Sequence, residues 1–96
     1  MSFVLVVHMK AQEGAEKRAL EVMRELAAAS RQEAGCEAYV PCQDPDDARS
    51  FVFYEQYRDQ AAFEEHGASE HFPRLAVGEL FTLMESRERA FYETVD

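Results

Sequence analysis

The sequence has no tryptophan, two cysteines, and few basic residues. Ten lysine and arginine residues stand against 19 acidic residues, and the formal net charge is −9. Nucleic-acid binding needs a basic surface that displaces counterions from phosphates, so this composition argues against a nucleic-acid partner. The same charge disfavours an anionic membrane surface. We interpret the acidic side chains as solvated helix faces.

Long apolar runs are also missing. No stretch approaches the roughly 18–20 apolar residues of a membrane span. The opening MSFVLVV lacks the basic region and cleavage site of a signal peptide, and we expect a cytoplasmic protein. The 96 residues, 47% of them hydrophobic, predict one folded domain over residues 1–96.

The two cysteines, Cys36 and Cys42, lie on one predicted strand. Six residues of strand span about 20 Å, whereas a disulfide needs Cα atoms within about 7 Å, so the two thiols are expected to be free. Neither belongs to a CxxC pair that would indicate a metal or redox role. The sequence also has no GxGxxG, P-loop, nucleophile elbow or HExxH, so nucleotide and common hydrolase chemistry lack support.

Hydrophobic periodicity predicts the element order β-α-β-β-α-β. Strands are predicted at residues 3–9, 36–43, 50–57 and from Leu80 to Tyr92, and helices at 15–34, at 60–66 and from Ser69. Gly35 is placed as a left-handed helix cap, and Asp59 as an N-cap. Pro41 indicates an edge strand or a bulge.

This order is typical of the α+β, ferredoxin-like fold, in which helices cover one face of a four-stranded antiparallel sheet. The first and third strands are apolar on both faces. A second copy of the sheet would bury the uncovered face economically, and we therefore predict a homodimer through the sheet faces.

The segment 51–72, FVFYEQYRDQAAFEEHGASEHF, sets titratable groups among aromatic rings, as small-molecule pockets do. His66 lies on the apolar side of a short helix, where an imidazole is either a general base or a core histidine bonded to a backbone carbonyl. His71 lies in the first turn of the next helix. It could bind a substrate oxygen as a neutral imidazole, or it could be exposed. As a metal site the two histidines lack an evident third ligand, and no metal is predicted.

Glu55 alternates with Phe51, Phe53 and Tyr57 on one face of its strand. A carboxyl group among aromatic side chains either has a hydrogen-bonding partner or has a raised pKa. It could orient His66, or it could pair with an arginine. Tyr39 and Tyr57 are interpreted as pocket walls and hydrogen-bond donors.

The spacing Glu55-x-Tyr57-x-Asp59-x-x-Ala62-x-x-x-His66-x-x-Ser69-x-His71-Phe72 resembles the antibiotic biosynthesis monooxygenase superfamily of dimeric α+β barrels. Glu33-Ala34-Gly35-Cys36 with Tyr39, and Gln43-Asp44-Pro45, are similar to the same family. Its members include quinol and anthrone-type monooxygenases without metal or flavin, haem-degrading enzymes and an isomerase of phosphorylated autoinducer-2. The sequence looks closest to the quinol monooxygenase and autoinducer-2 isomerase branches.

The resemblance implies that His66 projects into a pocket between sheet and helices. Two departures are visible. Tyr57 stands where the family often has tryptophan, and Ala76 stands where the haem-degrading branch has its axial histidine, so no haem is expected.

The leading hypothesis is a cofactor-independent monooxygenase that oxidises a small electron-rich aromatic, with His66 removing a phenolic proton. The pocket would be lined by Phe51, Tyr57, Phe63 and Phe72, and His71 or Tyr39 would hold the developing oxyanion. Two alternatives remain: an isomerase of a small phosphorylated dicarbonyl metabolite, and a non-catalytic dimer that binds a ligand.

Overall fold

The computed structural model describes residues 1–96 and contains four strands, two α-helices and two short irregular helices. The strands are β1 (Phe3–Ala11), β2 (Cys36–Asp44), β3 (Asp47–Tyr57) and β4 (Met84–Glu93); the helices are α1 (Glu16–Ser30) and α2 (Gln60–Gly67), followed by a π-helical segment (Phe72–Val77) and a 3₁₀ turn (Leu80–Leu83). No helix is long and apolar enough to cross a membrane.

The strands form one antiparallel sheet in the order β2-β3-β1-β4. With helices packed on one face, this arrangement confirms the predicted ferredoxin-like α+β fold. The apolar, β-branched β1 lies in the middle, and its Leu5 pairs with Glu55 on one side and Phe91 on the other. β2 is an edge strand, which explains how Pro41 is tolerated without a backbone donor.

The first helix ends four residues earlier than predicted, at Ser30 instead of residue 34. The prediction of a left-handed cap at Gly35 was wrong, because only Gly14 has a positive φ. Gly35 instead allows the backbone to pack closely against α2, because a Cβ at this position would lie 2.4 Å from the Cβ of Ala62. The turn after α1 is therefore held directly against α2.

The second helical region is also broken up. Asp59 caps α2 as predicted, since its Oδ1 accepts a hydrogen bond of 2.9 Å from the backbone of Ala62. The helix expected from Ser69 is the π-helical segment, and Ser69 Oγ accepts a 3.2 Å hydrogen bond from the backbone of Phe72. Leu80–Leu83 was predicted to begin the last strand, but it forms the 3₁₀ turn, whose Leu80 is buried in the core.

The core lies between the sheet and the helices. It joins one face of α1 to side chains from β1, β2 and β3, from the two irregular helices and from the start of β4: Met9, Ala11, Ala19, Val22, Met23, Leu26, Ala27, Tyr39, Phe51, Phe53, Leu75, Ala76, Leu80 and Met84. Cys36 and Cys42 are both free, as predicted. Burial raises the pKa of the Cys36 thiol to about 11, which makes it a poor nucleophile.

The opposite face of the sheet has no element packed on it. Val40, Tyr54 and Tyr92 are 43%, 38% and 56% exposed on this face. The strand register places them on the side away from the helices, since Val40 pairs with Tyr54 and Val4 pairs with Tyr92. We call this surface the open face. A homodimer through it remains a prediction.

Candidate functional site

A cavity of about 290 Å³ lies between the covered face of the sheet and the helices. Most of its walls are apolar, and its lining comprises Leu5, Val7, Met9, Leu26, Tyr39, Phe53, Glu55, Ala76, Leu80, Phe81, Arg87, Glu88 and Arg89. Its volume is at the lower end of those that hold small organic ligands. Polar atoms at a few places in an apolar wall are what fix a ligand's orientation.

Glu55 is the buried carboxyl group in this wall, with 4% of its surface exposed. Because side chains two apart on a strand share a face, Tyr57 lies beside it and its hydroxyl donates a hydrogen bond of 2.6 Å to Glu55 Oε1. Burial raises the pKa of Glu55 to about 7, against the opposing effect of the Tyr57 hydrogen bond, and the nearby charge of Glu33 raises it further. A carboxyl with this pKa exchanges its proton near neutral pH.

His66 lies behind Glu55, away from the cavity lining, and is 1% exposed. Its Nδ1 is 2.8 Å from Glu33 Oε2, and its Nε2 is 3.9 Å from Glu55 Oε1 and has no hydrogen-bond partner. Burial lowers the pKa of His66, although Glu33 acts in the opposite direction, so the ring is neutral near pH 7. Since a carboxylate only accepts hydrogen bonds, Nδ1 carries the proton and the lone pair of Nε2 lies on the side of Glu55.

Glu33 is the functional residue that sequence reasoning did not single out. It lies in the turn after α1, and its Oε2 accepts hydrogen bonds from His66 and, at 2.5 Å, from Nε2 of His71. The close approach of Gly35 to Ala62 brings this turn beside α2. The available signal was the Glu-Ala-Gly-Cys run, which the sequence analysis used only as part of the resemblance to the family.

Glu33, His66 and His71 are also the residues that could hold a metal ion. Their ligand atoms all lie within 4.8 Å of one another. Two histidines and one carboxylate form a ligand set known for divalent iron and zinc. The sequence predicted no metal because a third ligand was not evident, and Glu33 is the third group. The N–O separations of 2.8 and 2.5 Å are those of hydrogen bonds.

Most of the aromatic side chains that were predicted to form the pocket wall pack around the site and do not line the cavity. Phe51 is 1% exposed in the core, and Phe63 packs with Tyr57 and Phe91 at ring centroid distances of 5.7 and 5.4 Å. The Phe72 ring lies edge-on to His66 at 5.1 Å. None of these rings is part of the cavity lining.

Tyr39 does line the cavity, as a wall from β2 that is 2% exposed. Its ring lies 5.6 Å from the His66 ring, and burial raises the pKa of its hydroxyl well above the ordinary value. The Tyr39 hydroxyl therefore stays protonated and can act as a hydrogen-bond donor.

Arg87 and Arg89 are further cavity residues that sequence reasoning did not identify. They alternate on β4, so both lie on the covered side of the sheet. The Arg87 guanidinium lies 3.7 Å from the centroid of the Phe81 ring, and that of Arg89 lies 5.1 Å from the centroid of Phe91. The alternating spacing Arg87-x-Arg89-x-Phe91 was the available signal.

Comparisons with known proteins agree with this architecture. The antibiotic biosynthesis monooxygenase family model matches residues 2–76. Comparison with curated proteins gave no match. The crystal structure of PA3566 from Pseudomonas aeruginosa is 33% identical, with a TM-score of 0.90 over 99% of this chain and 95% of that one.

Two further structures extend the likeness. A crystal structure of an antibiotic biosynthesis monooxygenase is 30% identical, with a TM-score of 0.90 over 98% of this chain and 99% of that one. A mutant of SnoaB, a cofactor-independent oxygenase from Streptomyces nogalater, is 20% identical with a TM-score of 0.86 over 99% of this chain and 94% of that one, a likeness of fold. With most of the chain matched by the family model, this protein belongs to the antibiotic biosynthesis monooxygenase family.

Proposed function

We propose that this protein is a monooxygenase that oxidises a small, electron-rich phenol without a metal or organic cofactor. One observation supports the proposal above the others: Glu55, a buried carboxyl whose pKa is raised to about 7, lies in the wall of a mostly apolar cavity. A base with a pKa near the working pH is the most effective for removing a phenolic proton.

The phenol would lie in the cavity against Leu5, Val7 and Phe53, with its hydroxyl directed towards Glu55. Glu55 takes the phenolic proton, and Tyr39 donates a hydrogen bond to the phenolate oxygen. The apolar walls exclude water, which strengthens these interactions and protects reactive intermediates.

The phenolate then supplies the electrons for dioxygen. A ring carbon that bears a hydrogen atom forms a covalent bond to one oxygen atom of dioxygen. The resulting peroxide takes up the proton held by Glu55. Loss of water breaks the O–O bond and leaves a carbonyl, so the phenol becomes a quinone. One oxygen atom enters the product and the other leaves as water; the substrate supplies both electron pairs.

His66, the base preferred from the sequence, acts here as a positioning residue. Its Nε2 lone pair lies 3.9 Å from Glu55 Oε1 and can accept a hydrogen bond from the protonated carboxyl after a small closure. Glu33 and His71 keep the His66 ring in the required tautomer.

The proposal includes a homodimer through the open face. Three large hydrophobic residues there, Val40, Tyr54 and Tyr92, are more than a third exposed, which is costly for an isolated chain. Sedimentation equilibrium should give twice the monomer mass, and Tyr54→Lys should lower it. A wild-type monomer at micromolar concentration would contradict this part of the proposal.

Oxygen consumption by purified, metal-free protein with a panel of quinols and hydroxynaphthalenes tests the function. Saturable uptake above autoxidation that is lost in Glu55→Gln is the expected result. The same uptake in Glu55→Gln would overturn the assignment of the base. Absence of uptake, with phenols still raising the melting temperature, would instead favour an isomerase or a binding protein.

A further inference from the structure

We infer that the cavity has an anion-binding subsite formed by Arg87 and Arg89. The inference rests on the proposed function and refines its substrate class: an aromatic ring that carries a phenolic hydroxyl at one end and an anionic group, a carboxylate or a phosphate, at the other.

The first argument is that both guanidinium groups lack partners. The arginines that form ion pairs in this structure are Arg18, Arg49, Arg58 and Arg74. Arg87 and Arg89 form no ion pair and no hydrogen bond, although the chain carries 19 acidic residues. Two unpaired cations at one cavity in so acidic a protein offer a binding site for an anion.

The second argument is that the two side chains are held in place. Arg87 stacks on Phe81 and Arg89 lies over Phe91. Stacking on an aromatic face restrains a guanidinium and leaves its N–H edge free to donate bidentate hydrogen bonds. An ordered pair of donors loses less conformational entropy when an anion binds than two flexible lysines would.

The third argument is position. β1 residues opposite the two arginines, Met9 for Arg87 and Val7 for Arg89, also line the cavity. Both arginines are exposed, whereas Glu55 in the same cavity is 4% exposed. The cations thus lie at the solvent side and the base lies deep, with apolar side chains between them.

Glu88 is the acidic residue nearest in sequence to this pair. Glu88 is also part of the cavity lining, but it alternates with both arginines and pairs with His8, which directs its side chain to the open face, and it forms no ion pair with either guanidinium. It therefore leaves the charge of the guanidinium groups available on the covered side. The sequence did not predict this pair, because the pairing of β4 with β1 that brings Arg87 and Arg89 to the cavity is not visible locally.

The test is binding of ligands that cannot be oxidised by the proposed reaction, measured by isothermal titration calorimetry on the full chain. 2-Naphthoate, 2-naphthyl phosphate and the neutral naphthalene-2-carboxamide share a ring and differ in charge. We expect the two anions to bind the wild type at least about tenfold more tightly than the amide at low salt, since charge-assisted hydrogen bonds are the stronger ones.

The variants are Arg87→Gln, Arg89→Gln and their double, with Arg24→Gln on the exposed side of α1 as a charge-matched control. The double variant should lose the preference for anions while its affinity for the amide is kept, and the control should bind as the wild type does. Circular dichroism and the melting temperature establish that each variant is folded.

Equal affinity for acid and amide in the wild type, or a preference that survives the double substitution, would overturn the inference. Because no turnover is involved, this outcome is separate from failure of the proposed function. A preference for anions without oxygen uptake from any phenol would support the anion-binding subsite and contradict the proposed monooxygenase reaction.

Discussion

The two sides of the His66 imidazole differ in a way that explains the site. On the Nδ1 side, Glu33 accepts hydrogen bonds from two imidazoles at 2.8 and 2.5 Å, and its side chain is 17% exposed. On the Nε2 side, Glu55 has one phenolic donor and its side chain is 5% exposed. The same kind of side chain thus serves two purposes: Glu33 orients a ring, and Glu55 can gain or lose a proton near neutral pH.

Removing the ionisable group on the cavity side should have the largest effect. Glu55→Gln keeps the shape and an acceptor for Tyr57, but it cannot take a proton. We expect kcat/KM for a phenol to fall by about 10²–10⁴, the usual contribution of general base catalysis. In the wild type, kcat/KM should rise with pH through an inflection near 7, because the ionised carboxyl is the base.

The matched control for that variant is Glu65→Gln on the exposed surface of α2. It should retain the wild-type rate and pH profile. An inflection near 7 that persists in Glu55→Gln would assign the titration to another group.

Glu55→Gln, which should lower the activity, should raise the stability of the folded protein above neutral pH. Folding raises the pKa of Glu55 from about 4.5 to about 7, so the native state is penalised once the carboxyl ionises. Below pH 4.5 the wild type has no such penalty; between pH 4.5 and 7, where the unfolded chain has lost this proton and the native state still holds it, the penalty grows to roughly 3 kcal/mol, at about 1.4 kcal/mol for each pKa unit, and above pH 7 it stays constant.

Urea unfolding at pH 4.5 and pH 8 measures this effect. Glu55→Gln should be similar to the wild type at pH 4.5 and more stable at pH 8. A variant that is less stable than the wild type at pH 8 would show that the Glu55 carboxylate is well satisfied in the native protein.

Replacing the ring between the two carboxyls should have an intermediate effect. His66→Gln removes the Nε2 acceptor beside Glu55, and we expect a 10- to 100-fold loss of kcat/KM together with a shift of the inflection away from 7. A purely structural role would lower the melting temperature and leave the inflection of the remaining activity in place.

Substitutions of Glu33, on the Nδ1 side of His66, should have the smallest effect on kcat/KM. Glu33→Gln keeps one acceptor for the two imidazoles but removes the charge that fixes the His66 tautomer, so we expect about a tenfold loss in kcat/KM, as for a group that orients a functional histidine. Glu33→Asp, which keeps the charge on a shorter side chain, should recover part of the loss. A loss in Glu33→Gln as large as in Glu55→Gln would erase the distinction between the two sides.

Local patterns predicted much of the fold and part of the site. Strand alternation placed Glu55 and Tyr57 on one face, and the Asp59 cap and the edge position of Pro41 followed from side-chain chemistry. These features depend on residues that are neighbours in sequence, so a single sequence contains the information.

The remainder of the site depends on contacts between distant segments. Glu33 reaches His66 only because Gly35 allows a turn to pack against α2, and β4 brings Arg89 to the cavity only through its register with β1. Which of Glu55 and His66 lies nearer to the cavity was likewise not predictable, because it depends on the depth at which α2 packs on the sheet.

The most direct test of this account is the titration of the Glu55 carboxyl itself, followed by ¹³C NMR of the side-chain carbonyl and assigned with Glu55→Gln. The account predicts a midpoint near pH 7 that moves when a phenol occupies the cavity. A midpoint near 4.5, the value of an exposed glutamate, would show that this carboxyl is ionised throughout the neutral range and would contradict its role as the titrating base.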